Sequence, residues 1–198
     1  MLLPSSIQKL VEEFAKLPTI GRKSAERFVF YLLQKSQAEL DEFAESIKNL
    51  QLSITHCAVC GCFSEHNPCG ICADQRRDQT IICVVVETRN IILIENTKTF
   101  NGTYHVLGGL IDTAKGVTPK NLNITTLAQR LRQGGKREVI LALNPTFEGE
   151  HTALYLQNFL KNFNIKITRL AKGLPTGADI EYADSSTLTE ALKYRREN

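Results

Sequence analysis

Four cysteines carry the clearest chemistry in this chain. Cys57, Cys60, Cys69 and Cys72 stand as two Cys-x2-Cys pairs with eight residues between them. Two such knuckles facing each other supply four thiolates in a tetrahedron, the coordination that zinc favours. Four protein ligands leave no open position for water. The expected metal is therefore one structural Zn2+ per chain, not a catalytic centre. The connecting segment, residues 61–68, is too polar and short to build a core, so metal binding has to drive its folding. Cys62, His56 and His66 lie beside or within the cluster. They fall outside the paired spacing and are second choices as ligands. Cys83 sits inside an apolar run and reads as core packing.

A second set of candidates is acidic. Val85-Val86-Glu87 closes one apolar run, and Asn144-Pro145-Thr146-Phe147-Glu148-Gly149-Glu150 follows another. Ligands gather at the carboxyl ends of strands in open α/β sheets, which is where Glu87, Glu148 and Glu150 are expected. Two readings stand. Glu148 and Glu150 are first-turn charges that favour a helix dipole, or the acids form a negative docking patch for a basic protein partner.

A third set is basic. Leu17-Pro18-Thr19-Ile20-Gly21-Arg22-Lys23-Ser24-Ala25 turns between two helices. Gly21 permits a close backbone approach or a positive φ. The residues after it open a helix whose first N–H groups lack partners and, helped by the dipole, can hold a phosphate. Arg22, Lys23 and Arg27 place positive charge at the same end, which suits DNA contact without sequence preference. The alternative is an ordinary helical corner with solvated charges. No Gly-x4-Gly-Lys-[Ser/Thr] occurs, and Gly134-Gly135-Lys136-Arg137 has the wrong spacing, so ATP hydrolysis is not expected.

The elements that must position these groups follow from periodicity. Ile7, Leu10, Val11 and Phe14 recur at helical spacing over 5–15, with Ser5 and Gln8 forming a capping box. A second helix is predicted over 22–34, with Ala25, Phe28, Val29 and Leu32 inward. A third is predicted over 36–52, opened by Ser36 and Glu39. Residues 81–86 form a continuous apolar, β-rich run, as in a strand buried on both faces. Helix is predicted over 90–95, 122–133 and 149–163, and strand over 104–107, 138–143 and 165–170. That alternation argues for a mostly parallel sheet with crossover helices. A last helix, residues 186–196, is expected to be capped by Ser186 or Thr187.

Composition is that of an ordinary globular protein: 198 residues, 42% hydrophobic, 23% charged. The net charge of +3 is too weak to prove nucleic-acid binding, so any such binding has to come from clustered charge. No apolar run approaches the roughly 20 residues of a membrane span. Met1-Leu2-Leu3-Pro4 lacks the regions of a signal peptide, which predicts a cytoplasmic protein.

Three resemblances add to this reading. The segment from Leu17 to Ala25 resembles the helix-hairpin-helix motif Leu-Pro-Gly-Ile-Gly-x-Lys-x-Ala, with Thr19 in place of its first glycine. The strand ends resemble the Toprim domain of topoisomerases and primases, where a strand-end glutamate and Asp-Pro-Asp-x-Glu-Gly-Glu hold magnesium. Asn144 and Thr146 stand where the two aspartates should be, and magnesium needs charged oxygen ligands. The resemblance therefore implies a retained fold with lost phosphodiester chemistry. A magnesium-dependent Toprim nuclease or topoisomerase-like enzyme is the rival reading.

Taken in order, the hairpin, the four cysteines, the Toprim-like part and the tail Ala171–Asp184 resemble the RecR family of bacterial recombination mediators along essentially the whole chain. Tyr104-His105-Val106-Leu107-Gly108-Gly109 is similar to that family too. The resemblance implies a multi-part α+β and α/β fold. Its expected parts are a helical hairpin bundle (1–54), a zinc finger (55–78), a Toprim-like domain (79–174) and a C-terminal tail with a helix (175–198). It implies recombinational DNA repair, with nucleoid association during repair. The expected partners are single- and double-stranded DNA, RecO and, in many bacteria, RecF, in loading RecA onto gapped single-stranded DNA. It also implies a homo-oligomer, expected as a ring-shaped tetramer. The position of the finger suggests a rigid spacer.

Overall fold

The computed structural model describes residues 3–195. Arg196, the expected end of the last helix, lies outside the described residues. The chain forms two compact units, Met1–Ser53 and Ile54–Asn198.

The first unit contains helices α1 (Ser5–Ala15), α2 (Arg22–Leu32) and α3 (Gln37–Ser53). The apolar faces of α1 and α2 meet at Val11, Ala25 and Val29, with Ile7, Phe14 and Ile20 packed around them. Phe28, expected inward, is exposed, and Leu32 is half-buried. Ser5 does not cap α1: Pro4 precedes the helix with no side-chain cap, and Gln8 donates to the Leu3 carbonyl instead (2.6 Å). With Pro4 at the N-cap position, Ser5 falls inside the first turn, where its hydroxyl is no longer placed to cap the helix. Ser36 and Glu39 do form the expected box, through Ser36 N–H to Glu39 (3.0 Å) and Glu39 N–H to Ser36 Oγ (3.4 Å).

The second unit opens with the cysteine segment, in which β1 (Thr55–His56) and β2 (Phe63–Ser64) pair antiparallel and α4 (Gly70–Ala73) follows. The sheet comprises β3 (Asp78–Val85), β4 (Gly102–Val106), β5 (Glu138–Ala142) and β6 (Lys166–Arg169), in the order β4-β3-β5-β6. All neighbouring pairs are parallel. The crossover helices are α5 (Thr88–Glu95), α6 (Ile124–Arg132) and α7 (Phe147–Leu160). Ile82, Val84, Val139 and Leu141 from adjacent central strands pack with Leu127, Leu156 and Leu160 from the helices. The chain steps from β3 to β4 on one side and to β5 on the other. The carboxyl ends of β3 and β5 therefore form the topological switch point.

The finger is continuous with this second unit. Cys57, Cys60, Cys62 and Cys69 share one apolar cluster with Val85, Tyr104 and Val106. β4 is an edge strand, and its Val106 N–H donates to the Cys60 carbonyl (2.7 Å). The finger thereby satisfies a backbone donor that an open edge would leave to solvent. The last helix, α8 (Ser185–Lys193), is capped by Asp184, which accepts from Thr187 N–H (2.9 Å). The expected caps, Ser186 and Thr187, lie inside the helix instead, and both hydroxyls donate to Asp184.

Candidate zinc centre, phosphate-binding helix and acidic strand ends

The ligand atoms of Cys57, Cys60, Cys69 and Cys72 all lie within 4.8 Å of one another. Local backbone geometry builds that cluster. Gly61 N–H donates to the Cys57 carbonyl (2.8 Å), closing the first knuckle, and Ala73 N–H donates to that of Cys69 (2.9 Å), closing the second. Cys69 N–H points at Cys57 Sγ (3.3 Å) and Cys72 N–H at Cys69 Sγ (3.4 Å), as donors placed to support thiolates. Without a cation so many sulfurs cannot all ionise. Cys60 is pulled down to about 5 by hydrogen bonding, chiefly from Cys72, while that same bond pushes Cys72 up and burial pushes Cys69 up. A divalent, thiophilic ion resolves this conflict, so the donor set fits a closed structural zinc site. His56 lies instead against the Phe63 ring (centroids 4.8 Å apart), and both His56 and His66 are exposed. Cys62 and Cys83 are buried outside the group. Burial pushes the Cys83 thiol up to about 12, as packing predicts.

The basic hairpin places Gly21 as the residue before α2, with φ −81° and ψ 163°. Gly21 therefore uses no positive φ; Thr19 does, at 67°. A Cβ added at Gly21 would meet nothing within 4 Å. No side chain caps the helix, and the first backbone bond is Ala25 N–H to the Gly21 carbonyl (3.0 Å). The bare N-terminus is open to an external acceptor. Arg22, Lys23 and Arg27 are exposed around it. Arg22 faces Glu26 at 3.5 Å, whereas no ion pair holds Lys23 or Arg27 among the described residues.

The three acids differ from one another. Glu87 is paired with Arg89 (2.7 Å), and its N–H donates to Asn90 Oδ1 (2.9 Å). Glu150 is clasped by Arg169 (2.5 Å) and Lys172 (2.8 Å), which hold its carboxyl at about 2. Glu148 has no ion pair among the described residues, and its backbone carbonyl accepts from Thr152 Oγ1 (2.6 Å). Thr146 caps α7, accepting from Gly149 N–H (3.2 Å). Among the described residues the only converging group of His, Cys, Asp and Glu ligands is the four cysteines, so these acids do not assemble a metal cluster. Sequence spacing does not reveal Arg169 and Lys172 as partners of Glu150. Basic residues ending a strand read as solvated until the fold brings β6 beside α7.

The parts define a composite class: a helix-hairpin-helix unit followed by a tetrathiolate finger built onto a Toprim-type sheet. Family profiles match in the same order: RecR, helix-hairpin-helix over 7–50; RecR, four-cysteine zinc finger domain over 54–74; Toprim domain over 80–171; and RecR, C-terminal over 173–196. A protein of Clostridium perfringens named Recombination protein RecR is 46% identical over 192 residues, covering 97% of this chain and 96% of its own length. One of the same name from Acidothermus cellulolyticus is 47% identical over 191 residues, covering 96% of each. The chain belongs to the RecR family, and its zinc site is structural.

Proposed function

We propose that this protein acts in recombinational DNA repair as a non-enzymatic, sequence-independent DNA clamp. In this reading it works with RecO, and with RecF where that protein is present, to load RecA onto gapped single-stranded DNA. The observation that carries it is the bare N-terminus of α2, with open space over Gly21 and exposed cations at Arg22, Lys23 and Arg27. A glycine that neither takes a positive φ nor packs against its own chain is explained by the approach of an external phosphate.

One such end binds weakly, so the clamp needs several. A homo-oligomer, read here as a ring-shaped tetramer, would present several hairpins to one DNA and gain by effective concentration. Two features support assembly. Helix α3 buries none of its residues, and Phe43, Ile47 and Leu50 form an exposed apolar stripe. The core of the first unit holds few fully buried side chains, too few to make so small a unit robust alone.

The Toprim-type end is read as a docking surface, not a catalytic centre. Asn144 and Thr146 replace the aspartates that magnesium would need, and Thr146 already serves as a helix cap. Glu148, the one acid of the three without an ion pair among the described residues, is the proposed contact for RecO, and Glu87 and Glu150, whose charges are compensated, complete the proposed patch. No helix among the described residues is long and apolar enough to cross a membrane, and the reading places the protein in the cytoplasm, on the nucleoid during repair.

The test is a salt series of gel shifts on single- and double-stranded DNA, with magnesium and plasmid cleavage assayed in parallel. Steep loss of binding with salt, indifference to sequence and intact plasmid support the reading. Magnesium-dependent cleavage or relaxation supports the enzyme reading. Charge reversal at Glu148 should abolish RecO binding with DNA affinity unchanged; equal RecO affinity in calorimetry would refute that contact.

A further inference from the structure

Helix α6 buries five residues, and four of them are apolar. The fifth is Arg130, only 8% exposed. Its guanidinium donates to the Tyr104 carbonyl (2.6 Å), to His105 Nδ1 (3.4 Å) and to Thr103 Oγ1 (3.3 Å). All of these acceptors are neutral. The other His105 nitrogen lies 2.8 Å from the Asn123 carbonyl, which can only accept. The ring therefore carries its proton at Nε2 and presents a bare Nδ1 to the arginine. Burial moves His105 down to about 4, so it holds no charge near neutrality. No carboxylate pairs with Arg130 among the described residues, and the sulfurs of Cys72, Cys60, Cys57 and Cys69 lie near enough to favour its charge.

A buried guanidinium without a counter-charge is strongly unfavourable. A zinc ion with four thiolates offsets that cost, because the centre carries a net charge of about −2. The strand between them is shared: Tyr104 gives its carbonyl to Arg130, and Tyr104 and Val106 pack in the cluster that contains the cysteines. Asn123 and Thr126, at the start of α6, line a cleft with Cys57 and Gly61, which puts the finger against the helix that carries Arg130.

We propose that Arg130 is the buried counter-ion of the zinc–tetrathiolate centre, coupling metal occupancy to the edge strand β4 and helix α6. The inference rests on zinc occupying the four-cysteine site. By linkage the effect is reciprocal: the arginine strengthens the hold on zinc, and zinc stabilises the buried arginine. Loss of zinc thus unsettles the Toprim-type sheet as well as the finger. The competing role, a hydrogen-bonding prop for the Tyr104 carbonyl, would act the same with or without metal.

The experiment uses the full chain with Arg130→Gln, which keeps an amide donor without charge, and Arg130→Lys, which keeps charge without the fork. Zinc affinity is measured by chelator competition, and urea stability is measured with zinc and after its removal under reducing conditions. Glutamine should weaken zinc binding about 10–100-fold, the range for outer partners of metal ligands, and lysine should recover most of that loss. Zinc should also stabilise the glutamine variant less than wild type. Equal zinc affinity in wild type and Arg130→Gln overturns the proposal, as does an equal stability loss with and without metal. If the glutamine variant does not fold, the lysine variant decides: near-wild-type affinity supports the counter-ion, and a loss of about 10–100-fold overturns it. Zinc content of the wild type is a separate readout, so an empty wild-type site would identify failure of the zinc assignment itself.

Discussion

Replacing Thr19 by glycine should stabilise the helical unit although it removes a side chain. Thr19 holds φ at 67°, the left-handed region, and its exposed side chain makes no hydrogen bond among the described residues. A residue with a Cβ pays about 1–2 kcal/mol there, and β-branching makes the position worse. Glycine removes that strain but brings greater freedom to the unfolded chain, which costs about 0.5–1 kcal/mol. The difference predicts a net gain of about 0.5–1 kcal/mol. Urea denaturation of the zinc-loaded protein, followed by circular dichroism, reads it as a higher midpoint at unchanged slope. Thr19→Ala serves as the control: it relieves only the branching and keeps the Cβ, so its gain should be smaller. A Thr19→Gly protein less stable than wild type would refute the reasoning, as would alanine and glycine giving equal gains.

Gly149→Ala should cost about 3 kcal/mol or more, because the new Cβ would overlap the Asn144 carbonyl oxygen at the start of α7; a thermal midpoint within about 2 °C of wild type contradicts this. Glu150→Gln should destabilise the second unit by about 1–2 kcal/mol, the full effect of its lowered pKa being reduced by solvent screening at a side chain 35% exposed. The sign follows from the depressed pKa: this stability is present above the ordinary value of 4.5 and fades as pH falls towards 2, while the variant's loses that dependence. NMR titration should find His105 neutral down to about pH 5, since burial and then the Arg130 charge oppose its protonation; the stability at stake is about 3 kcal/mol, present above 6.5 and lost as pH falls towards 4. An imidazole titrating near 6.5 would show that burial and the Arg130 charge do not act on this ring as described.

Much of this fold is legible in the sequence because its signals are local. Apolar runs at 81–86 and 138–143 coincide with adjacent central strands, and spacing alone singles out the four cysteines that the structure clusters. What is not legible depends on groups distant in sequence. Arg130 lies on an otherwise amphipathic helix and reads as solvated, yet tertiary packing buries it against β4. Glu150 reads as a free first-turn charge until β6 brings Arg169 to it across nineteen positions. Caps are misread where two choices are chemically close: Asp184 outcompetes Ser186 and Thr187 because a carboxylate can accept from the helix N–H and both hydroxyls at once. The hairpin shows the opposite case. The substitution at Thr19 is plain in the sequence, but only the backbone shows that the positive φ persists without glycine.

The central claim is that the end of α2 holds DNA by its phosphates. The most direct test is DNA retention by the full chain carrying Lys23→Glu and Arg27→Glu together, with zinc content measured on the same preparation. The account predicts that DNA binding is lost at moderate salt while one zinc per chain remains. Wild-type DNA affinity in that double variant would contradict it.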